Sequence, residues 1–183
     1  LGLAPFYYTK YKQEKLAMHH MNREKKMKKV FRNIKSCIRQ FDMPIIDVRD
    51  DDSRSSLRTK WDDGQHVNEL LIVYHGNLGI VSIFSYYNQV PEARRYEAIA
   101  ALFKLNEKLQ KTYLTIDQDN RRIFCYAGIQ LKGVALAKKR FRRVLLEILK
   151  CVFLYSDNIA EIAGPEQAET GPVEGHQIEV EDY

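Results

Sequence analysis

Two turn signals divide residues 55–87, SSLRTKWDDGQHVNELLIVYHGNLGIVSIFSYY, into three runs rich in β-forming side chains. In the first signal, DDGQ, Gly64 is free to take the positive φ that a tight turn needs. In the second, HGNLG, Gly76 and Gly79 supply the same freedom. The run before the first turn alternates apolar and basic side chains, which is typical of a half-buried strand. The stretch therefore predicts an antiparallel meander rather than an active site built from loops.

Helical patterns flank the meander on both sides. Upstream, apolar residues recur at three- and four-residue steps and predict an amphipathic helix. Its apolar stripe comprises Met27, Val30, Phe31, Ile34, Ile38 and Phe41. Pro44 ends this helix, because the residue before a proline avoids the helical conformation, and IIDV then predicts a short strand. Downstream, Pro91 lies in the first turn of a second helix that runs to about Gln110.

The last third of the chain predicts a hairpin followed by a long helix. Strands at 113–116 and 123–127 flank the polar turn DQDNR. The final helix begins near Val134 and continues to Ala163. Its apolar face comprises Phe141, Val144, Leu145, Ile148, Leu149, Val152 and Phe153.

The resulting element order is α-β-β-β(-β)-α-β-β-α. Runs of strands between isolated helices indicate an α+β fold, here an antiparallel sheet of about five strands with helices packed on one face. The length of 183 residues favours one domain, which we assign to residues 23–163. In this interpretation residues 1–22 form a partly ordered N-terminal arm. Residues 164–183, acidic and with two Gly-Pro pairs, form a flexible tail.

The cysteines and the hydropathy pattern bear on location. Cys37, Cys125 and Cys151 are odd in number, widely spaced and in no CxxC pair. This usage favours buried thiols in a reducing compartment over a disulfide framework or a zinc site. No apolar run approaches the ~18 residues of a membrane span. We therefore expect a cytoplasmic protein.

Positive charge is concentrated in two segments, although the net charge is only +5. The first helix carries one basic segment and the KKRFRR run of the last helix carries a second, and segments of this kind are suited to contacts with phosphates. The residues concerned are Lys25, Lys28, Lys29, Arg32, Lys35, Arg39, Lys138, Lys139, Arg140, Arg142 and Arg143. They define an alternative interpretation, a nucleic-acid-binding regulator, although no recognisable nucleic-acid-binding module accompanies them.

Candidate catalytic and ligand-binding motifs are weak. His19 and His20 are adjacent and would point about 100° apart on a helix, and the other histidines lack metal-ligand spacing. RDDDS lacks the alternating acids and central glycine of a calcium loop, and HGNLG is neither a P-loop nor a dinucleotide-binding motif. Asp62 and Asp63 precede a glycine, a combination that hairpin turns select for backbone reasons. The sequence predicts no catalytic residue, metal site or cofactor, and we expect a protein that is not an enzyme.

Five stretches in this order resemble the YbjN family and the wider type III secretion chaperone-like fold. They are FRNIKSCIRQFDMP, LRTKWDDG, LLIVYHGNLGIVSIFSYY, VPEARRYEAIAALFKLNEKL and YLTIDQDNRRIFCYAGIQL, and the likeness covers roughly residues 27–155. The resemblance implies a dimeric protein-binding module without enzymatic chemistry, either a chaperone for partly unfolded clients or a regulator. This chain is basic and carries an extra N-terminal arm, unlike the small acidic secretion chaperones.

The preferred prediction is a non-enzymatic protein-binding module, chaperone-like or a regulatory adaptor, that forms a homodimer and binds a protein client. The client segment would pack against the sheet and the helix that follows it, with aromatic side chains as anchors. The predicted protein-binding residues are Trp61, Phe84, Tyr86 and Tyr87. Salt separates the two hypotheses, because phosphate binding weakens sharply as ionic strength rises and an apolar protein interface does not.

Overall fold

One six-stranded antiparallel sheet organises the molecule. The structure is a computed structural model that describes residues 25–51, 54–62, 67–131 and 138–164. The strands are β1 (Ile45–Asp50), β2 (Arg54–Asp62), β3 (Val67–His75), β4 (Ile80–Gln89), β5 (Tyr113–Ile116) and β6 (Arg122–Gln130). They lie in the order β1-β2-β3-β4-β6-β5, and each neighbouring pair is antiparallel. The predicted α+β class is confirmed, with six strands where the sequence predicted about five.

Three helices complete the described part of the chain. Helix α1 covers residues 25–39, α2 covers Arg95–Asn106 after a short 3-10 turn at Glu92–Arg94, and α3 covers Lys138–Ala163. Helix α2 ends four residues before the predicted Gln110. After Asn106 the backbone forms 3-10 turns, in which Lys108 and Leu109 donate hydrogen bonds to residues three positions earlier. The predicted start of α3 near Val134 falls outside the described residues.

A single hydrophobic core joins the inner face of the sheet to all three helices. The strand register places Leu57 opposite Ile72, Ile72 opposite Ile83, and Ile83 opposite Ala127. These four side chains are almost completely buried, and they share one cluster with the apolar residues of α1, α2 and α3. Burying a side chain such as isoleucine stabilises the fold by about 1.5–3 kcal/mol. The helices therefore pack on the inner face, as predicted.

The predicted helix faces are confirmed except at one position. All the apolar residues predicted for α1 lie in the core or against it. In α3 the predicted residues are buried up to Val152, but Phe153 is 60% exposed. Successive residues of a helix lie about 100° apart, so Phe153 falls beyond the edge of the stripe that contains Val152. Its assignment to the buried face was wrong.

The hairpin turns follow the chemistry of their residues. Gly79 has a φ of 63°, the left-handed conformation that glycine adopts without strain, and it closes the turn between β3 and β4. Strand β1 extends past the predicted IIDV segment, because Arg49 pairs with Ser56 and Asp50 with Ser55. The DDGQ turn, the arm at 1–22 and almost all of the tail at 164–183 lie outside the described residues.

The three cysteines are free and buried, as predicted. Cys125 on β6 and Cys151 on α3 interact through their thiols inside the core. This hydrogen bond, together with burial, raises the pKa of Cys125. Burial also raises the pKa of Cys37, although Lys138 and Arg142 oppose the effect. Cys37 and Cys125 are therefore protonated at neutral pH, and they pack as small apolar residues.

Candidate functional site

Five aromatic side chains lie side by side on the outer face of the sheet, which is the face opposite the core. Alternation along β4 turns Phe84 and Tyr86 outward, while Ile83 and Ser85 point into the core. The register then sets Phe84 opposite Tyr126 and Tyr86 opposite Phe124. Strand β5 adds Tyr113, which faces Tyr126. We call Phe84, Tyr86, Tyr113, Phe124 and Tyr126 the outer aromatic cluster.

The rings of the outer aromatic cluster contact one another across three strands. The ring centroids of Phe84 and Tyr126 are 5.1 Å apart, and those of Tyr113 and Tyr126 are 5.0 Å apart. Tyr86 stacks on Phe84 at 6.2 Å with an interplanar angle of 18°, and lies 5.9 Å from Phe124. None of the five belongs to the described hydrophobic core. Contacts at these distances fix the rings relative to one another and so form a preorganised apolar surface.

Small and charged neighbours hold the rings in place. The Tyr126 ring lies across Gly128, where a Cβ atom would come within 2.7 Å of the Tyr126 hydroxyl oxygen. The same hydroxyl lies 3.5 Å from the Ser82 Oγ. The Arg122 guanidinium sits 5.5 Å from the centre of the Tyr86 ring, while its Nε donates a hydrogen bond to the Tyr87 carbonyl oxygen. Glycine at position 128 therefore allows the close approach of the Tyr126 ring.

The hydroxyls of Tyr86 and Tyr113 remain protonated at neutral pH. Burial raises the pKa of Tyr86, and the nearby Asp117 carboxylate raises it further, while Arg122 and Arg54 oppose this. Burial, with a smaller effect from Tyr126, also raises the pKa of Tyr113. Both hydroxyls can therefore donate a hydrogen bond to a backbone carbonyl of a bound chain.

The four residues predicted to bind protein do not form one surface. Phe84 and Tyr86 belong to the outer aromatic cluster. Tyr87 is 8% exposed and belongs to the core, and Trp61 packs against the core from β2. Strand alternation places the two adjacent tyrosines on opposite faces of β4, with Tyr86 outward and Tyr87 inward.

The sequence prediction missed Tyr113, Phe124 and Tyr126. The alternation of side-chain directions along TYLTI and RIFCYAG was a sufficient signal to place these three residues on one face of their hairpin. That signal does not reveal that β6 lies beside β4, because the two strands are separated by α2 and β5.

A second apolar surface lies on α2. Tyr96, Ile99 and Phe103 are 87%, 47% and 68% exposed, and their spacing places them on one side of the helix. The buried residues Ala98 and Leu102 lie on the opposite side. We call Tyr96, Ile99 and Phe103 the α2 stripe. Three large apolar side chains aligned on one exposed face are typical of an interaction surface.

The two basic segments of the sequence meet in space. Lys138 of α3 donates from its Nζ to the Ser36 Oγ of α1 at 3.3 Å, which brings the start of the described α3 against the end of α1. The depressions along this junction are lined by Arg32, Lys35, Arg39, Lys138, Lys139, Arg142 and Arg143. Of the other predicted residues, Arg140 turns away to donate to the Gln130 carbonyl oxygen. Lys25, Lys28 and Lys29 lie further back along α1.

Among the described residues we find neither a metal-binding cluster nor a membrane-spanning helix. Among them, no group of three histidine, cysteine, aspartate or glutamate side chains is placed to hold a metal ion. None of the described helices combines the length and the apolar content needed to cross a membrane. Burial and the neighbouring Arg54 lower the pKa of His75, so this imidazole is neutral at physiological pH.

Comparison with known proteins identifies the fold. No family model matches the sequence, and a search of curated proteins finds no significant match. Among solved structures, the ExsC-ExsE complex is similar, with a TM-score of 0.52 and 12% identity over 72% of this chain and 94% of that chain. YbjN from E. coli has a TM-score of 0.48 and 10% identity over 70% and 92% of the two chains. The HopA1-SchA chaperone-effector complex has a TM-score of 0.47 and 15% identity over 72% and 97%.

The similarity to the ExsC-ExsE structure concerns the fold. The chain shares the fold of the ExsC-ExsE structure, in agreement with the fold that the sequence resemblance predicted. The resemblance rests on the arrangement of strands and helices, since only 12% of residues are identical. The functional argument must therefore come from the surfaces of this chain.

Proposed function

We propose that this protein is a non-enzymatic protein-binding module whose outer aromatic cluster binds an apolar segment of a protein partner. The observation that carries the proposal is the alignment of five aromatic rings on the sheet face opposite the core. Aromatic side chains dominate the binding energy of protein interfaces, because each removes a large rigid surface from water. The fold supports a protein partner, since the similar ExsC-ExsE structure is a complex of two proteins.

The chemistry of the cluster suits an extended or helical apolar segment. Phe84 and Phe124 provide a purely apolar centre, and the three tyrosines around them pair apolar rings with hydroxyl donors. A segment that packs on the rings would satisfy its own backbone carbonyls through those hydroxyls. The role we propose is chaperone-like or that of a regulatory adaptor, in the cytoplasm, where the three free thiols would stay reduced.

The double substitution Phe84→Ala with Tyr126→Ala is expected to abolish capture of the partner. Each truncation of an interface aromatic costs about 2 kcal/mol or more, which is about 30-fold in affinity. The measurement is a pull-down from native lysate at moderate salt, with and without nuclease, followed by identification of the bound proteins. The wild-type chain should retain a defined protein after nuclease treatment, and the double variant should not.

A matched control uses two outer-face residues of β2 that lie outside the cluster, Ser56 and Lys60. Ser56→Ala with Lys60→Ala should capture the same protein as the wild type. Equal capture by the cluster variant, with its melting temperature unchanged, would rule out the outer aromatic cluster as the binding surface. Loss of the captured proteins on nuclease treatment would contradict the proposal as a whole.

We further propose that the α2 stripe forms a homodimer interface. An isologous contact would bury Tyr96, Ile99 and Phe103 of one chain against the same residues of another.

Light scattering after size-exclusion chromatography should give a mass twice the 21.5 kDa of one chain. Phe103→Glu should shift the protein to the monomer, because dimerisation would bury an unpaired charge. Lys104→Glu, one residue further along the helix, should remain dimeric, and a monomeric wild type would refute the interface.

A further inference from the structure

A groove between α1 and α3 gathers positive charge from two distant parts of the sequence. Two depressions, of about 390 and 600 Å³, lie side by side and share Gln40 as a lining residue. We call this feature the basic groove. Its cationic residues are Arg32, Lys35 and Arg39 from α1 and Lys138, Lys139, Arg142 and Arg143 from α3.

Packing between the two helices fixes several of these cations. Lys138 bonds to Ser36 across the junction, and the Arg142 guanidinium lies 5.6 Å from the centre of the Phe41 ring. On α1 itself, the Lys35 ammonium lies 4.7 Å from the centre of the Phe31 ring. Cation–π contacts of this kind restrict the movement of a cationic side chain without removing its charge. The groove is therefore preorganised for an anionic ligand.

The positive charge of the groove is not neutralised within the described part of the chain. Glu147 is the one acidic residue among those that line the two depressions. The ion pairs found among the described residues involve arginines elsewhere, on the sheet and around α2. Seven like charges held together in this way repel one another, and an anionic ligand would relieve that repulsion.

We propose that the basic groove binds the phosphate backbone of a nucleic acid. Four of its seven cations are arginines, whose planar guanidinium matches the oxygens of a phosphate in a two-point contact. From Arg32 to Arg39, α1 rises about 10 Å. Measured along the axis of a duplex, that length corresponds to about three phosphates of each strand, at a rise of roughly 3.4 Å each. The regular charge of a phosphodiester backbone fits such a row of cations.

An acidic peptide suits the basic groove less well. Tight peptide binding needs apolar pockets for side-chain anchors, and Leu146 is the one large aliphatic residue among those that line the depressions. The described lining also contains no aromatic ring on which a base would stack. Binding should therefore be directed to phosphates and independent of base sequence. The site lies on the helical side of the molecule, away from the outer aromatic cluster, so the two proposals stand independently.

Fluorescence anisotropy with a labelled 20-nucleotide DNA, single-stranded and duplex, tests the groove with the full chain. With about four phosphate contacts, affinity should fall about 100-fold between 50 and 200 mM salt. Lys35→Glu with Lys139→Glu should weaken binding at 50 mM salt by at least about tenfold and make the salt dependence shallower. Lys104→Glu with Lys108→Glu makes the same change in net charge on and after α2, and should bind as the wild type does.

Two outcomes would overturn the assignment. Equal DNA affinity in the groove variant and the α2 variant would show that net charge alone drives binding. A 20-residue polyglutamate that competes as effectively as the DNA, with the same loss in the groove variant, would show that the groove recognises an acidic peptide instead. A melting temperature for each variant, measured beforehand, separates loss of binding from loss of folding.

Discussion

Replacing Phe141 by alanine is expected to lower the free energy of unfolding by about 3–5 kcal/mol. Phe141 is fully buried and heads the largest side chains enclosed in the core. Its removal from α3 would leave a cavity that the surrounding sheet and helices could only partly fill, because the core is close-packed. Domains are stable by only about 5–15 kcal/mol, so this single change would remove a large part of the total.

Thermal and urea unfolding of the Phe141→Ala variant measure this loss. The melting temperature should drop by roughly 6–20 °C for a chain of this length. Phe153→Ala provides a matched control on the same helix, since the Phe153 side chain is mostly exposed. That control should change the stability by less than about 0.5 kcal/mol. Equal losses in the two variants would contradict the placement of α3 on the inner face of the sheet.

Replacing Asn106 by alanine is expected to cost about 1–3 kcal/mol and to loosen the outer edge of the sheet. The Asn106 side chain donates to the Leu114 carbonyl oxygen at 2.8 Å and accepts from the Leu114 N–H at 2.7 Å. Both backbone groups of Leu114 therefore point away from β6, toward the free edge of β5. Asn106 occupies that edge as a neighbouring strand would, and so protects it from pairing with another chain.

Hydrogen exchange resolves the effect of Asn106→Ala at single amides. Exchange at Leu114 should accelerate in the variant, while the amides of β2 and β3 should keep their protection. Asn120→Ala serves as the comparison, because the Asn120 side chain accepts a hydrogen bond from the Arg122 N–H in a turn rather than from β5. It should leave exchange at Leu114 unchanged. Unaltered exchange at Leu114 in the Asn106 variant would show that β5 is held by its pairing with β6 alone.

Local patterns were sufficient for most of the fold. The predicted apolar stripe of α1 was correct because an α-helix has 3.6 residues per turn, so the spacing of apolar residues defines its buried side. The prediction of strand β2 was correct because the buried residues Leu57 and Thr59 alternate with the exposed residues Arg58 and Lys60. Phe153 was misassigned because the edge of an apolar stripe depends on the width of the surface it meets. That width belongs to the sheet and is not contained in the sequence of α3.

The candidate sites depended on contacts between distant segments. Phe84 and Tyr86 were identified from their own strand. Their respective partners, Tyr126 and Phe124, lie some 40 residues later and reach them only because β6 pairs with β4. Tyr87 was grouped with Tyr86 because they are adjacent in sequence, but adjacent residues of a strand point to opposite faces of the sheet. The two basic segments were recognised individually, and only the packing of α3 beside α1 shows that they line one groove.

By itself, the sequence determined the fold class, the order of the elements, the inward sides of α1, β2 and most of α3, and the burial of the three thiols. These features follow from hydrophobic periodicity and turn chemistry, which act within about ten residues of chain. The tertiary structure alone decided which strands are neighbours, and hence where the outer aromatic cluster and the basic groove form. The physical reason is that long-range neighbours are selected by the packing of the whole core, a cooperative property that no local pattern records.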